Sequence, residues 1–256
     1  MSYPVIDTYS TLDSILHRFD PRAKLITFTI LIFSFAFITE LVVALLAVIF
    51  SIILIFISRI PLHFVYISLK FPALFIFMII VVMAFTVQGS PLIGLGYVSI
   101  TIEGLYIGAL IFLRAIASLI LAFLMLATSR FDEIIKAMYS LKIPNILIQM
   151  ITFSYRYIFV LLGEFFTMKR SMYTRGFKMK LNQYSLNIIG NMIGMLLVKS
   201  YERGEKVYRS MLSRGYTGNP RLFTDFRMVM ADYMLSSVLL LIAFSVQLFP
   251  FVISNL

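Results

Sequence analysis

Residues Leu25 to Ser58 read LITFTILIFSFAFITELVVALLAVIFSIILIFIS, an apolar run interrupted only by the pair Thr39-Glu40. About 20 helical residues cross a hydrocarbon core roughly 30 Å thick, so the run is too long for one crossing. It reads as two membrane spans joined in a hairpin that turns at Glu40. A third span follows from about Phe71 to Val87 and closes at Gln88-Gly89-Ser90-Pro91, a turn cluster that breaks a helix. A fourth runs from about Gly104 to Thr128 and a last from about Tyr233 to Ile253. The composition agrees: the chain is 61% hydrophobic and 13% charged, against about 25% charge in soluble domains. The mean hydropathy is +0.96. The expected fold class is an all-α polytopic membrane protein of about five transmembrane helices.

The chain has no cysteine, which excludes a disulfide framework, a thiolate metal site and a cysteine nucleophile. The stretch from Met1 to Asp20 is polar and lacks the apolar core of a cleavable signal peptide, so the first span is expected to direct insertion. A formal charge of +10 points to anionic partners, first the cytoplasmic leaflet of the bilayer. Nucleic acid is not expected as a partner, because the cations are not set in a soluble recognition module.

Lysine and arginine sort by side of the membrane. The segments around Glu40, from Gln88 to Glu103 and after Ile253 contain none of the 22 basic residues. The N-terminus is therefore expected in the cytoplasm and the C-terminus outside a cell membrane. Three regions result: residues 1–128 with four spans, residues 129–232 in the cytoplasm, and residues 233–256 with the final span. Two apolar stretches in the middle region, Ile146 to Leu162 and Leu186 to Val198, leave a seven-span topology as the alternative. Each runs without a break into a charged amphipathic stretch, which favours two long helices extending into the cytoplasm. In the second, Leu186, Ile189, Ile193, Leu197, Tyr201, Gly204, Tyr208 and Met211 form one stripe at helical spacing. Glu202 with Lys206 and Glu205 with Arg209 are i,i+4 ion pairs off that stripe. Gly190 and Gly194 make a G-x-x-x-G step over which another helix can cross closely.

The middle region also contains a repeat. Arg170-Ser171-Met172-Tyr173-Thr174-Arg175-Gly176-Phe177 returns as Arg209-Ser210-Met211-Leu212-Ser213-Arg214-Gly215-Tyr216. In each copy a hydroxyl, an arginine, a glycine and an aromatic residue end a long helix, the glycine accepting the left-handed conformation that stops it. Helix capping alone explains one arginine near a C-terminus. It explains neither the repeated Arg-Ser-Met nor the aromatic residue after the glycine. A guanidinium beside a ring is an anchor for a groove on a partner, and two tips imply two similar partner sites.

With His17-Arg18-Phe19-Asp20-Pro21-Arg22-Ala23-Lys24-Leu25 ahead of the first span and Tyr155-Arg156-Tyr157-Ile158 in the first long helix, the two Arg-Gly tips carry a resemblance. The chain resembles the transmembrane coupling component of energy-coupling factor transporters, the family that includes the membrane subunit of cobalt and nickel uptake systems. The resemblance implies that the long helices are coupling helices. It implies that Arg175 and Arg214, flanked by Thr174, Gly176, Ser213 and Gly215, dock two ATP-binding-cassette ATPases. It also implies a separate membrane substrate-binding component, with cobalt, nickel or a vitamin as cargo. Thr174 and Ser213 stand where the family often has alanine.

The remaining charged residues have local readings. Asp20 is placed to cap a helix with Pro21 at its first position, and Arg22 and Lys24 mark the cytoplasmic boundary. Arg114, about ten residues into the fourth span, is a functional candidate with no evident partner. Arg156 is placed to pair with Glu164 or to stack on Tyr155 or Tyr157. His17 and His63 lack the clustered ligands of a metal site, and Asp132-Glu133 reads as the acidic start of a helix. There is no G-x-x-x-x-G-K-[ST], so nucleotide chemistry belongs to partners; no catalytic residue, metal or cofactor is expected. The competing readings are a polytopic membrane enzyme, which needs a D-x-x-x-D type cluster absent from the sequence, and a self-sufficient permease, which needs more polar groups at mid-span than Arg114.

Overall fold

A computed structural model of the chain describes residues 12–87, 90–95, 98–180, 182–218, 226 and 228–254. A short α1 (Ile15–Arg18) precedes α2 (Pro21–Ala36), α3 (Leu41–Ser58) and α4 (Leu62–Thr86). Two strands, β1 (Pro91–Leu95) and β2 (Val98–Thr101), pair antiparallel before α5 (Ile102–Ala127) and α6 (Phe131–Ser140). Two 30-residue helices follow, α7 (Asn145–Thr174) and α8 (Gln183–Leu212), and then α9 (Met230–Ser254). Among the described residues the regular structure is thus helical but for one hairpin. That hairpin lies where the sequence suggested only a turn, and Glu103 beside it accepts hydrogen bonds from the Ser90 amide at 2.8 Å and the Ser90 hydroxyl at 2.9 Å.

Among the described residues five helices are long and apolar enough to cross a membrane, namely α3, α4, α5, α7 and α9. The number matches the sequence expectation, but the membership differs. The expected first span is α2, whose 16 residues make a rod of only about 24 Å. α7 qualifies instead, by its length and its apolar N-terminal part. The third span begins earlier than expected, at Leu62, and runs straight through Pro72; proline removes only one helical amide, which a membrane helix tolerates.

The described residues form two compact units. The membrane unit is built from α2 to α5 and α9, with α5 at its centre against α2, α3 and α4, and α9 laid along α2. Phe28, Leu31, Phe35, Leu121 and Leu124 are fully buried in it. In lipid there is no hydrophobic drive between apolar helices, so close backbone approach and interhelical hydrogen bonds must hold them. Both are present. Gly104 and Gly108 on α5 face α4 so closely that a Cβ at Gly104 would lie 2.5 Å from the Met83 carbonyl oxygen, and one at Gly108 would lie 3.1 Å from Ile80 Cα. The Ser34 hydroxyl donates to the Ala243 carbonyl at 2.8 Å, and Gln247 donates back to the Ser34 carbonyl at 2.9 Å, tying α2 to α9.

The second unit comprises α7 and α8. Tyr216, just past α8, donates to Gln149 near the start of α7, while Arg203, in the C-terminal half of α8, pairs with Glu164 in the C-terminal half of α7. Contacts that run forward on one helix and backward on the other make the pair antiparallel. Among its described residues only Ile148 on α7 and Ser185 on α8 are buried. The apolar stripe read on α8 is not covered: Leu186, Ile193, Leu197, Tyr201 and Tyr208 are each about half exposed or more.

Candidate functional site

Each long helix ends in the same way. The Gly176 amide donates to the Tyr173 carbonyl at 3.0 Å and the Phe177 amide to the Met172 carbonyl at 3.1 Å. At the second tip Gly215 donates to Leu212 at 3.0 Å and Tyr216 to Met211 at 3.1 Å. These pairs are Schellman motifs, and they need a left-handed residue at the glycine, which has φ +83° in Gly176 and +80° in Gly215. The hydroxyls of Thr174 and Ser213 fold back on the preceding turn, to the Ser171 carbonyl at 3.0 Å and the Ser210 carbonyl at 3.1 Å. With the last carbonyls already satisfied by amides and hydroxyls, Arg175 and Arg214 are not needed to cap; both side chains are exposed.

The tips differ in what braces them. Phe177 packs against Tyr173 of its own helix, with ring centroids 6.2 Å apart. Tyr216 is instead held by Gln149, which also donates to the Gly218 carbonyl at 2.8 Å, so the second tip is fastened to the start of α7. Arg214 borders an open groove of about 620 Å³ between the helices, together with Arg156, Lys206 and the Glu164–Arg203 pair.

Arg156 corrects the sequence reading. Its expected partner Glu164 binds Arg203 on the other helix, and Arg156 itself is exposed to the groove without a partner among the described residues. Of the two i,i+4 pairs, Glu205–Arg209 forms at 2.6 Å, whereas Glu202 and Lys206 make no ion pair among the described residues. Gly190 and Gly194 face open space, with no atom within 4 Å of an added Cβ. Arg114 is half-buried midway along α5, also without a partner among the described residues.

The N-terminal element folds into a knot within the membrane unit. The Asp20 carboxylate caps α2 by accepting the Arg22 amide at 2.8 Å, and the Asp20 amide reaches Asp232 at 3.4 Å. Arg22 lies over the Phe226 ring, 4.8 Å from its centroid. Lys24 is the residue that sequence reasoning missed. Read as a boundary cation, it is 2% exposed, and its ammonium donates to the Ser129 hydroxyl at 2.8 Å, the Thr128 carbonyl at 3.0 Å and the Thr128 hydroxyl at 3.2 Å. All three ammonium donors are used, which is how a lysine is tolerated there. Asp132 and Glu133 do open α6 as expected, with Asp132 paired to Arg130 at 3.4 Å.

The family model described as cobalt transport protein, CbiQ, matches residues 13–224. The chain belongs to that family. Among its relatives is the energy-coupling factor transporter transmembrane protein EcfT of Streptococcus equi, 28% identical over 226 residues that cover 84% of either chain. The EcfT of Streptococcus thermophilus is 29% identical over 230 residues, 84% of this chain and 86% of that one. An uncharacterised protein of Methanocaldococcus jannaschii is 28% identical over 223 residues, 83% of this chain and 75% of its own. This CbiQ-family chain is thus a multi-pass membrane component of energy-coupling factor transport, a transporter subunit of the T-component type.

Proposed function

We propose that this chain is the coupling subunit of an ATP-driven importer, in which Arg175 and Arg214 each dock one of two ATP-binding-cassette ATPases and a separate membrane protein carries the substrate. The observation that supports it best is the pair of exposed arginines, set in the same Schellman frame at opposite ends of an antiparallel helix pair. An anchor of this kind needs a rigid stem and a free head. The frame supplies the stem, and the guanidinium, with five donors in a plane, supplies the head.

In this reading residues 129–232 lie in the cytoplasm, the N-terminus is inside a cell membrane and the C-terminus outside, as the charge bias favours. ATP hydrolysis belongs to the partners, whose closure moves α7 and α8. Gly190 and Gly194, uncovered in this chain, are the crossing point for a helix of the substrate-binding component. The family description supports cobalt as cargo; nickel or a vitamin is the alternative that the resemblance implies.

The test is affinity purification from the native membrane in mild detergent, comparing the wild type with the Arg175→Ala/Arg214→Ala variant. P-loop ATPases are expected with the wild type and lost from the variant, and Arg→Lys exchanges are expected to rescue only in part. Full ATPase recovery with the double variant would sink the docking assignment.

A further inference from the structure

We propose that Glu164 and Arg203 are the pivot of the helix pair, a positioning pair that sets how far apart the two arginine tips stand. The repeat carries the first part of the argument. Arg175 follows Glu164 by eleven residues, and Arg214 follows Arg203 by the same eleven, so the ion pair joins equivalent positions of the two copies. Each tip therefore stands about 16 Å from the pivot along its own helix. Because the helices are antiparallel, the two arms point opposite ways.

The packing carries the second part. Elsewhere along 30-residue helices the pair is nearly bare: only Ile148 and Ser185 are buried among their described residues, and between the ion pair and either tip none is. No apolar core there fixes the crossing. The link that Tyr216 makes to Gln149 is a second contact of the pair and holds the second tip near the start of α7. The Glu164 side chain is 20% exposed and that of Arg203 43%, so this is a partly desolvated pair, screened less by water than the fully exposed pairs of the surface. An ion pair in a crossing without an apolar core opposes sliding and permits rotation about itself once the Tyr216–Gln149 link opens. For two partners gripping the tips, rotation about a fixed point converts their approach into a change of angle.

This inference rests on the coupling reading for its purpose, but its geometry can be tested without any ATPase. The chain has no cysteine, so Lys178→Cys and Thr217→Cys place spin labels beside the tips of the full chain in lipid nanodiscs. Pulsed electron paramagnetic resonance is expected to give one narrow distance distribution. Glu164→Arg or Arg203→Glu alone puts like charges at the crossing and is expected to broaden that distribution at least two-fold. The double exchange Glu164→Arg/Arg203→Glu is expected to restore it. Unchanged widths in the single variants, or no recovery in the exchange, would overturn the pivot.

In the reconstituted transporter, each single variant is expected to lower uptake per ATP hydrolysed at least five-fold with ATPase binding within two-fold of wild type, and the exchange to recover the ratio. A wild type that binds no ATPase would refute the coupling reading, while the distance measurement would still decide the pivot.

Discussion

Two G-x-x-x-G steps stand in this chain, and their fates differ. Gly104 and Gly108 on α5 are filled by α4, with backbone atoms where a side chain would begin. Gly190 and Gly194 on α8 meet nothing. The same contrast runs through the two units: the membrane unit buries phenylalanines and a lysine with all its donors used, whereas α7 and α8 leave an apolar stripe and the arginines at their tips exposed. One unit completes itself. The other leaves its apolar stripe, its glycine step and its arginine tips uncovered among the described residues.

The largest effect that would break this contrast is at Gly104. A methyl group there must displace the α4 backbone, and Gly104→Ala is expected to destabilise the membrane unit by about 3 kcal/mol, at the upper end of overpacking effects. Thermal denaturation in detergent measures it; an unchanged midpoint would mean the helices are not so close. Next, Lys24→Met leaves the Thr128 carbonyl and the Ser129 hydroxyl without their donor and is expected to cost about 2–3 kcal/mol in the same assay.

Arg175→Ala or Arg214→Ala is expected to leave the midpoint unchanged and to weaken ATPase binding by about 2 kcal/mol, roughly 30-fold, by titration against the purified ATPases. A loss of stability instead would make the tips structural. Gly194→Ala is expected to be neutral or to stabilise α8 by up to about 1 kcal/mol, since alanine favours helix and the space is open. Its effect is expected in weaker recovery of the membrane partner. Smallest, Tyr216→Phe removes the link to Gln149 and is expected to weaken docking by about 0.5–1 kcal/mol when Arg175 is already alanine, sharpening the difference between the tips.

Much of the candidate site was legible in the sequence. An arginine before a glycine at the end of a long helical pattern needs only local geometry, and both Schellman tips follow from it. The Asp20 cap on α2 is local in the same sense. What was misread was long-range. Arg156 and Glu164 share a helix, but Arg203 lies 39 positions after Glu164 and took its carboxylate. Lys24 was assigned to the interface because a lysine ahead of an apolar run ordinarily stays wet. Nothing local announces acceptors 104 and 105 positions away.

The sequence by itself determined the helical membrane character, the extent of most helices, and the two equivalent tips, because hydropathy, capping and turn chemistry act within a few residues. Only the tertiary structure decided which glycine step is occupied, which face of α8 stays bare and which charges pair. Periodicity defines a face, but whether that face is covered depends on which helix the rest of the chain brings to it.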